Sequence, residues 1–154
     1  MRRFDSIETM KLVVGTELGV SDWLRIDQER IDAFARATGD DYWIHTDVAR
    51  AAKELPEGRT IVHGYLTLSL ATYLSHRIWK LDSLERGLNY GLDKVRLTLP
   101  VRVDDRVRLR QSLVSVEPLP AGGSKLRFRN VMEVDGSDKP ACVAESISAL
   151  FERA

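Results

Sequence analysis

The chain has 154 residues, 44% of them hydrophobic, enough for one compact domain with a proper core and too few for two of ordinary size. Its 23 basic and 23 acidic side chains cancel, so no global field draws DNA or an anionic membrane to it and any binding must be local. The single cysteine, Cys142, excludes an internal disulfide; it lies in the alternating run Ala141-Cys142-Val143-Ala144, which suits a small buried side chain and fits a reducing cytoplasm.

From the N-terminus, Asp5, Glu8, Lys11 and Glu17 break up the first 20 residues, so no apolar leader follows the basic start. No later run approaches the roughly 18 apolar residues of a membrane span. Asp27 to Gly39 reads as a helix: Asp27 can cap it, Glu29 suits its positive end, Ile31, Phe34, Ala35 and Thr38 share a face, and Gly39 ends it. A shorter helix is expected from Thr46 or Asp47 to about Lys53. Pro56, Gly58 and Arg59 mark a loop, followed by a short apolar strand around Ile61. From Gly64 to about Trp79 the apolar residues surround most of a helical axis, so this helix is expected inside the protein. After residue 86 the period becomes two. Val95, Leu97 and Leu99 alternate with Lys94, Arg96 and Thr98, and Val107 and Leu109 with Arg106, Arg108 and Arg110. Asp104-Asp105, Pro118 to Gly123 and Asp135-Gly136-Ser137 then divide the second half into hairpin-connected strands of about 8 to 12 residues.

Two segments carry chemistry. In Gly39-Asp40-Asp41-Tyr42-Trp43-Ile44-His45 a carboxylate and an imidazole stand five residues apart just after a helix end, which suggests an acid/base pair holding one water. In Ile61-Val62-His63-Gly64 a helix opens on glycine, and its unpaired N–H groups can face an oxygen that gains negative charge. His63 reads as a supporting, hydrogen-bonding residue. Thr72 reads as a packing residue of the helix, and His76 suits the negative C-terminal end. Neither His63 nor His76 has metal-ligand spacing to a partner, so no metal is expected. The arginines at 106, 108, 110, 127 and 129 read as a solvated sheet face, and no phosphate loop or nucleic-acid signature is present.

Together these segments resemble the MaoC-like (R)-specific enoyl-CoA hydratases, whose signature Gly-Asp-x-Asn-Pro-Ile/Leu-His is followed by Ile-x-His-Gly. Asp40 and His45 fall on the two catalytic positions, with Tyr42-Trp43 standing where the common form has Asn-Pro. The Trp-Ile-His variant and the stretch Asn89-Tyr90-Gly91-Leu92-Asp93-Lys94-Val95-Arg96 are similar to the nodulation protein N subgroup. The resemblance implies an α+β hot-dog domain over residues 1–154, an antiparallel sheet wrapped around the helix from Gly64. It implies syn hydration of a trans-2-enoyl-CoA to the (R)-3-hydroxyacyl-CoA, with Asp40 and His45 on one water and Gly64 N–H on the thioester oxygen. Thr72 matches the position where some relatives place a small hydroxyl near the site, and Lys94 and Arg96 are where the coenzyme A nucleotide would first be sought. No cofactor is expected beyond the coenzyme A of the substrate, and the expected partner is a second copy of the chain in a homodimer. The open alternatives are a dehydratase of 3-hydroxyacyl groups on acyl-carrier protein, a hot-dog thioesterase and a non-catalytic acyl-thioester-binding subunit. A thioesterase needs no imidazole at this spacing, so His45 argues against it.

Overall fold

Alternation along the second half of the chain produces one apolar and one charged sheet face. The computed structural model describes residues 1–120 and 122–153. Its elements are β1 (Arg2–Phe4), α1 (Ile7–Lys11), β2 (Glu17–Val20), β3 (Leu24–Arg25), α2 (Gln28–Thr38), α3 (Trp43–Thr46), α4 (Val48–Glu54), α5 (Gly64–Ile78), β4 (Trp79–Leu81), β5 (Leu84–Leu97), β6 (Arg106–Pro118), β7 (Ser124–Val134) and β8 (Cys142–Glu152). The large sheet is antiparallel in the order β2-β6-β7-β8-β5, with β3 also on β6. Val107, Leu109 and Leu113 of β6 point inward and are buried, while Arg108 and Arg110 point outward to Glu133 at 2.6 and 2.7 Å, and Arg106 pairs with Asp135. The arginine ladder is thus an ion-paired outer face, as its alternation indicates. Such half-exposed pairs add little stability each.

Helix α5 lies on the inner face. Leu66, Leu70, Leu74 and Ile78, about one turn apart, join Leu109, Leu113, Leu126, Phe128 and Met132 in one core. A polar seam anchors the end of the helix. Ser75 Oγ and Trp79 Nε1 both donate to Gln111 Oε1, Gln111 Nε2 donates to Asn130 Oδ1, and Asn130 Nδ2 donates to Ser146 Oγ, at 2.7 to 2.9 Å. Every link has a complementary partner, which makes a buried polar chain tolerable in an apolar layer.

This is the wrapped-helix, antiparallel architecture expected of a hot-dog domain, with several corrections. The helix is not enclosed on every side: Tyr65, Ser69, Thr72, Tyr73 and His76 form an exposed face that the sheet of this chain does not reach. Asp104-Asp105 does not join a hairpin, since β5 crosses to the far edge and pairs with β8, and among the described residues only β6–β7 and β7–β8 are consecutive hairpins. The 14 residues of β5 and 13 of β6 exceed the expected 8 to 12, because bulges let the ladder continue through irregularities. Ile61 forms only an isolated bridge with Arg102. Alternation at Val95 and Leu97 does not mean burial either, since Leu97 is 51% exposed on the edge strand. Cys142 is buried, and that burial pushes its thiol pKa upward. Among the described residues no helix is long and apolar enough to cross a membrane.

Candidate active site

Helix α2 sets the first half of the site. Asp27 Oδ1 accepts the Arg30 N–H at 3.0 Å at its start, and Gly39, at φ 78°, closes it in the left-handed conformation that favours glycine. The chain therefore leaves α2 at a defined angle, and Asp40 follows with its carboxylate about half exposed. Trp43 opens α3, the first helical position at which proline is tolerated, so the Asn-Pro of the common motif and the Tyr42-Trp43 here can start the same turn. Arg50 stacks 4.0 Å over the Trp43 ring and holds α4 against this turn.

His45 is held by its ring. Nδ1 lies 2.6 Å from the Ile61 carbonyl, which can only accept, so Nδ1 carries the proton and Nε2 keeps its lone pair. Partial burial pushes the imidazole pKa below its ordinary 6.5, against the bond to Ile61, which raises it; the neighbouring His63 lowers it further and Asp40 raises it. The outcome is a neutral base near pH 7.

His63 is 2% exposed, packs on Phe34 at 5.0 Å and stacks on His45 with ring centroids 3.8 Å apart. Its Nε2–H donates to the Asp40 main-chain carbonyl at 2.9 Å, while Nε2 stands 4.0 Å from the Asp40 carboxylate. It thus grips the turn that carries Asp40. Nδ1 of His63 is buried without a hydrogen-bond partner.

Asp40, His45 and His63 each bring a ligand-type atom within 4.8 Å of the others. A water making bonds of about 2.8 Å to two of them spans that gap. The sequence spacing of His63 gives no hint of this cluster, and the reading that it has no potential metal-binding partner is corrected here. The two imidazole planes are inclined by only 24°, however, so their in-plane lone pairs do not converge at the roughly 2.0–2.1 Å of a metal bond. Each ring commits one nitrogen to a carbonyl and keeps the other uncommitted.

Gly64 is the first residue of α5 and directly follows His63; the helix has no side-chain cap, so its leading N–H groups have no helical partners. A Cβ at Gly64 would lie 2.4 Å from Leu97 Cδ1, so glycine lets β5 cross close over the helix start. Thr72 sits on the exposed face of α5 rather than in its packed stripe, which corrects the packing reading of it. Lys94 lies at the irregularity of β5 with φ 51° and pairs with Glu145 at 2.8 Å, and Arg96 donates to the carbonyl of Val95. Of the two, only Arg96 adjoins a residue touching the helix start, Leu97. Sequence reasoning missed Gln28, whose Nε2 donates to the His45 carbonyl at 2.8 Å. Its one signal was the position immediately after the helix cap.

The chain matches the MaoC like domain family over residues 10–131. It is 47% identical over 147 residues to 3-hydroxyacyl-thioester dehydratase Z of Mycobacterium tuberculosis, covering 96% of this chain and 97% of that one. It is 40% identical over 138 residues to nodulation protein N of Rhizobium leguminosarum bv. viciae, covering 89% and 86%. Among solved structures, the R-hydratase from Pseudomonas aeruginosa superposes with a TM-score of 0.72 at 21% identity, covering 91% of this chain and 83% of that one. The (R)-hydratase from A. caviae superposes with a TM-score of 0.70 at 24% identity, covering 89% and 96%. At those identities the structural likeness speaks for the fold alone.

Proposed function

Because the chain belongs to the MaoC-like domain family of hydratases and dehydratases, we propose that it is a hydro-lyase adding and removing water across C2–C3 of a 2-enoyl or (R)-3-hydroxyacyl thioester, with coenzyme A as the carrier. The observation that carries this reading is the pairing of a neutral, oriented His45 with Asp40 across one water's width, beside the open N-terminus of α5. The reading takes residues 1–154 as one domain, supported by a continuous core running from Phe4 to Leu150.

In the hydration direction, Asp40 accepts a hydrogen bond from the water and orients it, and His45 Nε2 takes one of its protons. The water oxygen bonds to C3, and the double-bond electrons move onto the thioester oxygen. Gly64 N–H and the first turn of α5 stabilise that enolate oxygen. The His45 imidazolium then returns the proton to C2, regenerating the neutral base. One base on one face delivers both hydroxyl and proton from that face, so addition is syn. Dehydration runs the same steps backward, and nothing beyond the substrate's own coenzyme A takes part.

The partner is a second copy of the chain. β5 is an edge strand with 14 residues, and Leu88, Tyr90 and Leu92 along it are each at least half exposed. Joining two such edges covers them, and a two-fold pairing does so without leaving a further open edge there. The 47% identity to a protein named as a thioester dehydratase favours dehydration as a working direction and leaves acyl-carrier protein as the alternative carrier.

Incubation with crotonyl-CoA tests the reading. Loss of enoyl absorbance with (R)-3-hydroxybutyryl-CoA as product is expected. Release of free coenzyme A would make it a thioesterase, the (S) product would remove the (R)-specific reading, and inertness toward both coenzyme A and carrier-protein thioesters would point to a binding subunit.

A further inference from the structure

Gln28 opens α2, and its carboxamide is almost fully used. Nε2 donates to the His45 carbonyl and to Asp32 Oδ1, each at 2.8 Å, and Oε1 accepts from Thr60 Oγ1 at 2.6 Å. A carbonyl and a carboxylate only accept and the Thr60 hydroxyl can donate, so the partners themselves fix which way the amide faces. Thr60 is 1% exposed, and its own carbonyl accepts the Val103 N–H at 3.0 Å, which makes it a fixed post. Next to it, Ile61 donates its N–H to the Ile44 carbonyl at 2.9 Å and accepts the His45 Nδ1–H at 2.6 Å. The bonds close a ring: from the His45 carbonyl through Gln28 and Thr60 to Ile61, and back through the imidazole to His45.

The ring matters because α3 has only four residues, too few to hold itself in shape. The carbonyls of Tyr42, Trp43 and Ile44 are taken by main-chain N–H groups of the turn or of Ile61. That of His45 is taken by Gln28.

We infer that Gln28 is a positioning residue for the acid/base site, acting with Thr60 to fix the main chain of His45 so that its Nδ1–H reaches Ile61 and Nε2 is left free beside Asp40. Its effect on turnover rests on the hydro-lyase reading; its effect on the imidazole does not. Asp40 and His63 are the titratable groups beside that imidazole, and Asp32 is the one on the carboxamide. Gln28→Met removes one hydrogen bond from Asp32 and makes no change of residue at Asp40 or His63.

The test uses Gln28→Met, which keeps the length of the side chain without its hydrogen bonds, and Thr60→Val, which keeps the carboxamide but removes the donor that orients it. First, the His45 imidazole is titrated by NMR without substrate. Loosening the Ile61 bond, which holds the pKa up, should move the titration of His45 to lower pH in Gln28→Met. Second, kcat on crotonyl-CoA should fall about 10- to 10²-fold with little change in KM, as expected for a misplaced base. The double variant should fall little below the worse single, because the two residues act as one unit. An unchanged His45 titration, or full kcat in the folded variant, overturns the proposal. Should Gln28→Met fail to fold, Thr60→Val decides it by the same two measurements. Wild-type protein inert toward enoyl thioesters would remove the hydro-lyase reading, and the titration would still decide the role of Gln28.

Discussion

His45 and His63, 18 positions apart in the chain, lie face to face at 3.8 Å, and the carbonyls that fix their two rings belong to Ile61 and Asp40 respectively. Each histidine is therefore oriented by the segment that carries the other half of the site. His45 is held by the strand-like segment leading to His63, and His63 by the turn leading to His45. The His45 ring, the turn that carries Asp40 and the segment leading into α5 are thus tied into one hydrogen-bonded unit.

If Asp40 and His45 act on one water, Asp40→Asn and His45→Gln each lower kcat by about 10² to 10⁴ fold with the fold intact. The double variant should lose little more, since groups acting as a unit are not additive. Steady-state kinetics on crotonyl-CoA, with circular dichroism as the control, checks this; near-wild-type turnover in either single variant removes the assignment.

His63→Phe keeps an aromatic ring against His45 and Phe34 and gives up only the Nε2–H bond to Asp40. One lost neutral hydrogen bond costs about 1 kcal/mol, so the protein should stay folded. Turnover should nonetheless drop about 10-fold, because the Asp40 turn loses its anchor and small displacements of reacting groups are costly. A melting curve beside the kinetics separates the two effects; unchanged kcat would reduce His63 to packing.

The pH dependence follows from the lowered pKa of His45. If His45 is the base it works only when neutral, so kcat/KM should hold on the alkaline side and fall as pH drops through a value below 6.5. Below 6.5 the unfolded chain takes up a proton that the folded His45 still refuses, so stability declines as pH falls from 6.5 to the folded pKa and then levels off in this contribution. His45→Gln should flatten that part of the stability curve, which chemical denaturation at several pH values measures.

If the Gly64 N–H binds the thioester oxygen, Gly64→Pro removes that donor, and loss of one such donor costs about 10² to 10³ in kcat. Gly64 is not among the residues of positive φ, so proline is conformationally acceptable at this first helical position. The obstacle is Leu97, whose Cδ1 lies 2.4 Å from where a Cβ would stand. The comparison should therefore be made between Leu97→Ala and Leu97→Ala/Gly64→Pro. Equal rates in two folded proteins would place the oxyanion elsewhere.

Tyr90→Lys with Leu92→Lys puts two charges on the exposed edge of β5. If that edge joins two copies, light scattering should show the mass fall from two chains to one. A wild-type protein already monomeric at working concentration would defeat this reading of the edge.

The limits of α2 were legible in the sequence because they are local. Asp27 and Gly39 act through one hydrogen bond and one backbone conformation, each decided within a few residues. The inward and outward faces of β6 were legible for the same reason, since a period of two follows from the backbone alone. Asp40 and His45 were legible through a motif that spans a single turn. What the sequence could not determine depends on partners far along the chain: β5 pairing with β8 instead of β6, β1 pairing with β4, and His63 and Gln28 joining His45 from 18 and 17 positions away. Even strong alternation misled at Leu97, because an edge strand shows the same period whether or not anything covers it. Periodicity and capping report what a residue's neighbours in sequence require, whereas burial and the second hydrogen-bond partner of a side chain are settled only when distant segments compete for the same core.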